Sequence, residues 1–170
     1  GHLNARTFGT LRTQADYAAV LDALDGKRVV HVSPHSEDEG FEPMQADGML
    51  DRTRAFVKIE DGCDNSCSYC IIPKARGHVR SKPLRDLERE LESLVSRGYN
   101  EVVLSGINLP FYGRDLGISL VDAVELACDI VPRVRLSSLE PELLKREDVE
   151  RLAKLPEFCP QFHLSLQSGC

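Results

Sequence analysis

The sequence has no apolar run near the roughly 20 residues that cross a bilayer, which excludes a helical membrane span. It shows no secretory signal pattern and no initiator methionine; it opens on Gly1-His2-Leu3-Asn4. A cytoplasmic segment of a longer protein is therefore expected. It has no excess of positive charge: 21 Lys and Arg against 27 Asp and Glu leave a net charge of −6. That excludes a global nucleic-acid footprint and leaves only local basic patches to be argued. It also lacks the dense, even cysteine spread of a secreted disulfide scaffold. Of six cysteines, Cys63, Cys67 and Cys70 crowd one stretch, while Cys128, Cys159 and Cys170 stand alone. There is no internal repeat and no low-complexity segment.

What is present is ordinary for a soluble globular domain, with 42% hydrophobic and 28% charged residues over 170 positions. Residues 11–24 place Tyr17, Val20, Leu21 and Leu24 on one helical face, closed by Gly26. Val29, Val30 and Val32 read as a short strand. Polar residues with Pro34, Gly40, Pro43 and Gly48 follow, a linker composition. The composition puts a linker at residues 34–50, between a first segment of residues 1–33 and a main domain of residues 51–170.

From residue 55 onward strands and helices alternate. Strands are expected at 55–59, 102–104, 134–137 and 162–166. Between them come a helix with the stripe Leu84, Leu87, Leu91, Leu94 and Val95, a helix opened by the capping box Ser119 and Asp122, and a short helix at 148–155. This pattern predicts a parallel sheet with right-handed crossovers. Four such strands cannot close an eight-stranded barrel, so a partial (β/α) barrel or an open sheet is expected.

The chemical signal is Cys63-Asp64-Asn65-Ser66-Cys67-Ser68-Tyr69-Cys70, a C-x-x-x-C-x-x-C run. Three thiolates on one loop can hold three irons of a four-iron, four-sulfur cluster, whose usual ligand set is four. The fourth iron then keeps an open position for the amino and carboxylate groups of a small molecule. Zinc sites prefer repeated cysteine pairs or cysteines joined by histidines. Here no second pair exists and no histidine lies within the run. A zinc-loaded, non-catalytic module recruiting Cys128 or Cys159 remains the alternative.

Residues 54–80 resemble the radical S-adenosylmethionine (SAM) domain of the methylthiotransferase family. The resemblance rests on Phe56-Val57-Lys58-Ile59, on Asp61-Gly62-Cys63, and on Ile71-Ile72-Pro73 followed by Arg76-Gly77 and Arg80-Ser81. It implies an α/β partial barrel of radical SAM type, with the first four strands present, preceded at residues 1–33 by the tail of the family's amino-terminal α/β domain. It implies a 4Fe-4S cluster on Cys63, Cys67 and Cys70, SAM, and an electron donor such as flavodoxin or ferredoxin. The family's amino-terminal domain carries three further cysteines for a second 4Fe-4S cluster, and residues 1–62 contain none. The chain therefore reads as an internal fragment unable to complete the reaction alone.

Polar or glycine-bearing motifs follow all four strands, and active sites of barrel-like α/β folds gather at carboxyl strand ends. They are the cysteine loop, Ser105-Gly106-Ile107-Asn108, Ser137-Ser138-Leu139-Glu140 and Gln167-Ser168-Gly169. By family similarity Tyr69 packs near the SAM adenine. Gly106 lets the backbone approach the SAM amino group, Asn108 is a candidate contact to its methionine part, and Ser138 belongs to the cofactor-facing loop after strand three. Gln167 and Ser168 are candidate ribose contacts. Glu140 is the candidate catalytic residue. Lys74, Arg76 and Arg80, in a basic run that continues to Lys82 and Arg85, are candidates for contact with tRNA phosphates, with SAM as the alternative partner.

Gly106-Ile107-Asn108-Leu109 with Tyr112-Gly113, and Arg135-Leu136-Ser137-Ser138-Leu139-Glu140-Pro141, resemble the branch acting on threonylcarbamoyladenosine beside the tRNA anticodon. Sister branches act on isopentenyladenosine in tRNA or on a ribosomal protein. The resemblance implies SAM cleavage by one electron, hydrogen removal from carbon 2 of the adenine, and addition there of a sulfur methylated from a second SAM.

Anaerobic reconstitution is expected to give a brown protein with about four irons per chain, bleached by dithionite. Iron analysis should show binding lost in Cys63→Ala, Cys67→Ala or Cys70→Ala and kept in Cys128→Ala and Cys159→Ala. A colourless protein with stoichiometric zinc would overturn the cluster assignment.

Overall fold

In the computed structural model, residues 14–30, 40–41, 53–141, 145–166 and 168 are described. The chain divides into two units, Gly1–Ser36 and Glu37–Cys170. In the first, α1 spans Gln14–Leu24 and ends at Gly26, whose φ of +79° suits a residue without Cβ. Of the strand expected at Val29, Val30 and Val32, the described residues 27–30 carry no strand pairing. Val32 lies outside the described residues. Val29 and Val30 have strand propensity, but a strand needs a hydrogen-bonded neighbour, and propensity does not supply one.

The second unit is built on three parallel strands in the order β1, β4, β5. They are β1 Ala55–Lys58, β4 Val102–Ser105 and β5 Val134–Leu136. Ala55 lies beside Val102, and Val102 beside Val134. Helix α3, Leu84–Ser96, and helix α4, Leu120–Ile130, make the crossovers. The strand alternation decides what is buried. Val57, Val102, Leu104 and Val134 are wholly buried, and they share a core with Leu87, Leu91 and Leu94 of α3 and with Val124 and Ala127 of α4. The spacing 87, 91, 94 is one helical stripe, as the sequence predicts.

The opposite face carries Phe56, Lys58, Ser105 and Arg135. Phe56 is 43% exposed. A cavity of about 290 Å³ opens on this side, lined by Phe56, Val103, Arg135, Ser138 and His163 among others. At the amino ends of the strands Glu101 draws in Arg54, Arg133 and Arg135.

Helix α4 begins as expected. Asp122 N–H donates to Ser119 Oγ at 3.3 Å, and Ser119 N–H donates to Asp122 Oδ2 at 2.8 Å. Helix α3 ends at Arg97, and Gly98 and Tyr99 donate N–H groups to Val95 and Leu94.

The third and fourth strands are shorter than expected. After β5 the chain shifts at Ser137, whose N–H donates to Leu104 O, and continues as β6, Ser138–Leu139. β6 pairs in parallel with β7, His163–Leu164, the part of the expected 162–166 strand that finds a ladder partner. An isolated parallel bridge joins Val134 to Phe158. Helix α5 is Arg146–Leu152, earlier than the expected 148–155. Short elements escaped sequence reading: helix α2, Ile72–Arg76, the antiparallel two-residue strands β2 Glu60–Asp61 and β3 Arg80–Ser81, and a 3-10 turn at Leu109–Phe111. Among the described residues no helix is long and apolar enough to cross a membrane.

Leu91→Ala is expected to lower stability by about 3 kcal/mol through lost burial and the cavity it leaves. Ser119→Ala should cost about 1 kcal/mol by removing the helix cap. Urea denaturation checks both, and equal losses would contradict this core assignment.

Candidate active site at the carboxyl ends of the strands

The cysteine loop leaves the sheet at β2 and returns at β3, so the short β2–β3 ladder closes its base. Glu60 lies beside Ser81, and Asp61 beside Arg80. Asp61 is the anchor. It accepts from Lys58 Nζ at 2.5 Å and from Gly62 N–H at 2.9 Å, and it faces Arg76 Nη1 at 3.5 Å and Arg80 Nη2 at 3.8 Å. Burial acts to raise its pKa, but Lys58, Arg76 and the Gly62 N–H outweigh burial and hold it below the usual carboxylate value.

Gly62 follows at a φ of +88°. A Cβ there would lie 1.9 Å from the carbonyl oxygen of His78. The two arms of the loop can approach this closely only with glycine at that place. Cys63 N–H then donates to Gly77 O at 3.1 Å.

Cys63 is buried against Val79 and Phe111, Cys70 is half-buried, and Cys67 is exposed. The five described cysteines are all free thiols. The Cys70 N–H closes a turn onto Cys67 O at 3.0 Å. Among the described residues no three histidine, cysteine or carboxylate side chains converge on one point, as a single metal ion would require. A cubane makes a different demand, one thiolate at each of three separate irons, and three free thiols on one loop fit it. Cys128 lies in the core on α4, where burial pushes its thiol up to about 12, so it behaves as a small hydrophobe. Cys159 is buried and faces the Arg133 guanidinium at 3.4 Å.

Three of the four strand-end motifs meet here. Asn65, inside the cysteine loop, donates from Nδ2 to Glu140 Oε2 at 2.8 Å, bringing the loop after strand three against it. Asn108, after β4, is 3% exposed, and its Nδ2 lies 3.8 Å from Cys63 Sγ. Gly106 lies over Glu60: a Cβ at 106 would stand 2.5 Å from Glu60 Oε2. Tyr69 is 76% exposed on the same loop. Ser138 Oγ lies 3.4 Å from His163 Nδ1, beside the cavity. Ser168 is exposed. Gln167 lies outside the described residues.

The basic run divides. Lys74 is exposed on α2, whereas Arg76 and Arg80 turn to Asp61. Lys82 is buried in an ion pair with Glu90.

Sequence reasoning missed Glu60. It is wholly buried, and its Oε2 accepts the Asn108 N–H at 2.8 Å. Burial pushes its carboxyl up to about 7, against the N–H groups of Asn108 and Ile107, which act to lower it. Strand parity offered the signal: counting in twos from Phe56 through Lys58 puts residue 60 on the face away from the helices.

Residues 57–170 match the radical SAM superfamily. The chain is 42% identical over 153 residues to threonylcarbamoyladenosine tRNA methylthiotransferase MtaB of Thermotoga maritima, covering 88% of this chain and 35% of that protein. It is 39% identical over 137 residues to tRNA-2-methylthio-N(6)-dimethylallyladenosine synthase of Clostridium botulinum strain Loch Maree, covering 78% of this chain and 30% of that one. The chain thus spans about a third of the length of the curated relatives it matches. A solved radical SAM methyltransferase, TsrM of Kitasatospora setae, overlaps 58% of this chain and 20% of its own at TM-score 0.46 and 16% identity, too loosely to carry an argument.

The raised Glu60 carboxyl has a consequence for stability. Below about pH 4.5 it is neutral in both the folded and unfolded chain, and its contribution is fully present. As pH rises through about 7 the unfolded chain gains by ionising first, and the contribution is lost. Glu60→Gln cannot ionise. It is expected to exceed the native chain in stability by about 3 kcal/mol at pH 8 and to lose that lead at pH 4.5. Urea titrations at the two pH values check this, and a gap independent of pH would refute it.

Proposed function

The chain belongs to the radical SAM superfamily, and from that premise we propose that it is the cluster-binding portion of a tRNA methylthiotransferase acting on threonylcarbamoyladenosine beside the anticodon. The observation that carries the reading is the convergence of the Cys63–Cys67–Cys70 loop with Asn108 and Glu140 at the carboxyl ends of parallel strands. The names of the curated relatives support a tRNA substrate, and both nucleoside types occur among them at similar identity. The 42% relative and the two strand-end signatures favour threonylcarbamoyladenosine over the dimethylallyl nucleoside.

Cys63, Cys67 and Cys70 would hold a 4Fe-4S cluster, which together with SAM supplies the one-electron chemistry when bound. The rest of the chain's work is positional. Asp61 pins the base of the cysteine loop through Lys58, Arg76 and Arg80. Asn65 and Glu140 tie that loop to the strand-three end, where a splayed-out base would be read by shape and edge contacts. Exposed Tyr69 offers an apolar ring beside the cysteines for the SAM adenine. Lys74 remains available to a phosphate. A second cluster and an electron donor of flavodoxin or ferredoxin type complete the proposal, with the reaction in the cytoplasm.

The full-length protein is expected to restore the methylthio group on threonylcarbamoyladenosine in tRNA of cells lacking that activity, read by mass spectrometry of nucleosides. Glu140→Ala should reduce that product more than it reduces iron content. A methylthiolated dimethylallyl nucleoside, or a modified ribosomal protein with unmodified tRNA, would move the protein to a sister branch.

A further inference from the structure

Glu60 and Asn108 lie outside the three-cysteine loop, yet a line of contacts runs from one through the other to a cysteine sulfur. Glu60 Oε2 accepts the Asn108 N–H at 2.8 Å, and Asn108 Nδ2 lies 3.8 Å from Cys63 Sγ. Both side chains are buried, at 0% and 3% exposure. Gly106 leaves room for the carboxylate, since a Cβ there would meet Glu60 at both Oε2 and Cβ. Among the described residues Glu60 Oε1 and Asn108 Oδ1, both buried, find no hydrogen-bond partner. Unsatisfied buried polar atoms are rare, and two in one contact mark a place where something other than stability fixes the arrangement. The orientation of the amide follows from charge. An amide oxygen set against a thiolate repels it, whereas the NH₂ group donates to it.

We propose that Asn108, braced by the Glu60 carboxylate, donates a hydrogen bond to the Cys63 thiolate and so raises the reduction potential of the cluster on that loop. The inference rests on the cluster reading above. Reduction adds negative charge to the cluster and its thiolates, so an N–H dipole aimed at one sulfur favours the reduced form. Cys63 and Asn108 are both buried, so that dipole is little screened at this sulfur. Glu60 acts on two levels. Its oxygen fixes the backbone that aims Asn108, while its own negative charge opposes reduction. The two residues therefore push the potential in opposite directions when altered, which loss of packing would not do.

The test is a potentiometric titration of the anaerobically reconstituted chain at pH 8, followed by electron paramagnetic resonance, with iron content measured beside it. Asn108→Ala is expected to keep its iron and to show a lower midpoint potential than the native chain. Glu60→Gln keeps an oxygen for the Asn108 N–H, removes the charge, and is expected to show a higher one. An unchanged or higher potential in iron-retaining Asn108→Ala would overturn the proposal. Should that variant lose its iron, Glu60→Gln decides, and an unchanged potential there overturns it. A native chain that holds zinc and no iron would overturn the cluster reading and this inference together, and that result is visible before any variant is made.

Discussion

The Asp61 carboxylate holds the two arms of the cysteine loop together. The chain leaves β1 at Lys58, runs through Cys63, Cys67 and Cys70, and returns through Arg76 and Arg80; Asp61 meets a cation from each of these stretches except the cysteines themselves. A loop carrying three thiols has little hydrophobic surface to hold it in place. Its base is fixed instead by a half-buried ionic cluster and by the two-residue β2–β3 ladder. Partial burial strengthens the attraction within these pairs, and several cations together with the Gly62 N–H offset the desolvation of the one carboxylate. Gly62 completes the closure by letting the backbone pass under His78 O.

From that anchor the rest of the site follows by contact. Cys63 is placed where Asn108 can reach it, and Asn65 where Glu140 can. Each of these contacts joins the cysteine loop to a different strand end, Asn108 after β4 of the three-stranded sheet and Glu140 after β6 of the β6–β7 pair. The sheet in turn is held by its other face, where Val57, Leu104 and Val134 pack on α3 and α4. One face of the three strands thus carries stability and the other faces the cavity, a division set by the two-residue period of a strand.

Charge is distributed by the same logic. Read as a run, Lys74, Arg76, Arg80 and Lys82 resemble a basic strip awaiting phosphate. In three dimensions Arg76 and Arg80 serve Asp61, and Lys82 is buried with Glu90. At the far end of the strands Glu101 gathers Arg54, Arg133 and Arg135 in the same manner. The cations in these groups serve first to satisfy carboxylates of this chain.

The sequence by itself determined the parts governed by short-range rules. The spacing of Leu87, Leu91 and Leu94 set the buried stripe of α3, Ser119 and Asp122 set the start of α4, and Val57, Val102 and Val134 set the core face of the sheet. The C-x-x-x-C-x-x-C spacing marked the cysteine loop, because ligands on one loop are neighbours in the chain. Where strands end was not legible: 27–30 has valines and no partner, and the strand expected at 162–166 is limited to the two residues that meet β6. Only the tertiary structure decided that Glu60 is buried beneath Gly106, that Asn108 faces Cys63, and that Asn65 and Glu140, 75 residues apart, share a hydrogen bond. Burial and pairing across such separations depend on how crossovers bring strand ends together, and no local pattern of residues records that distance.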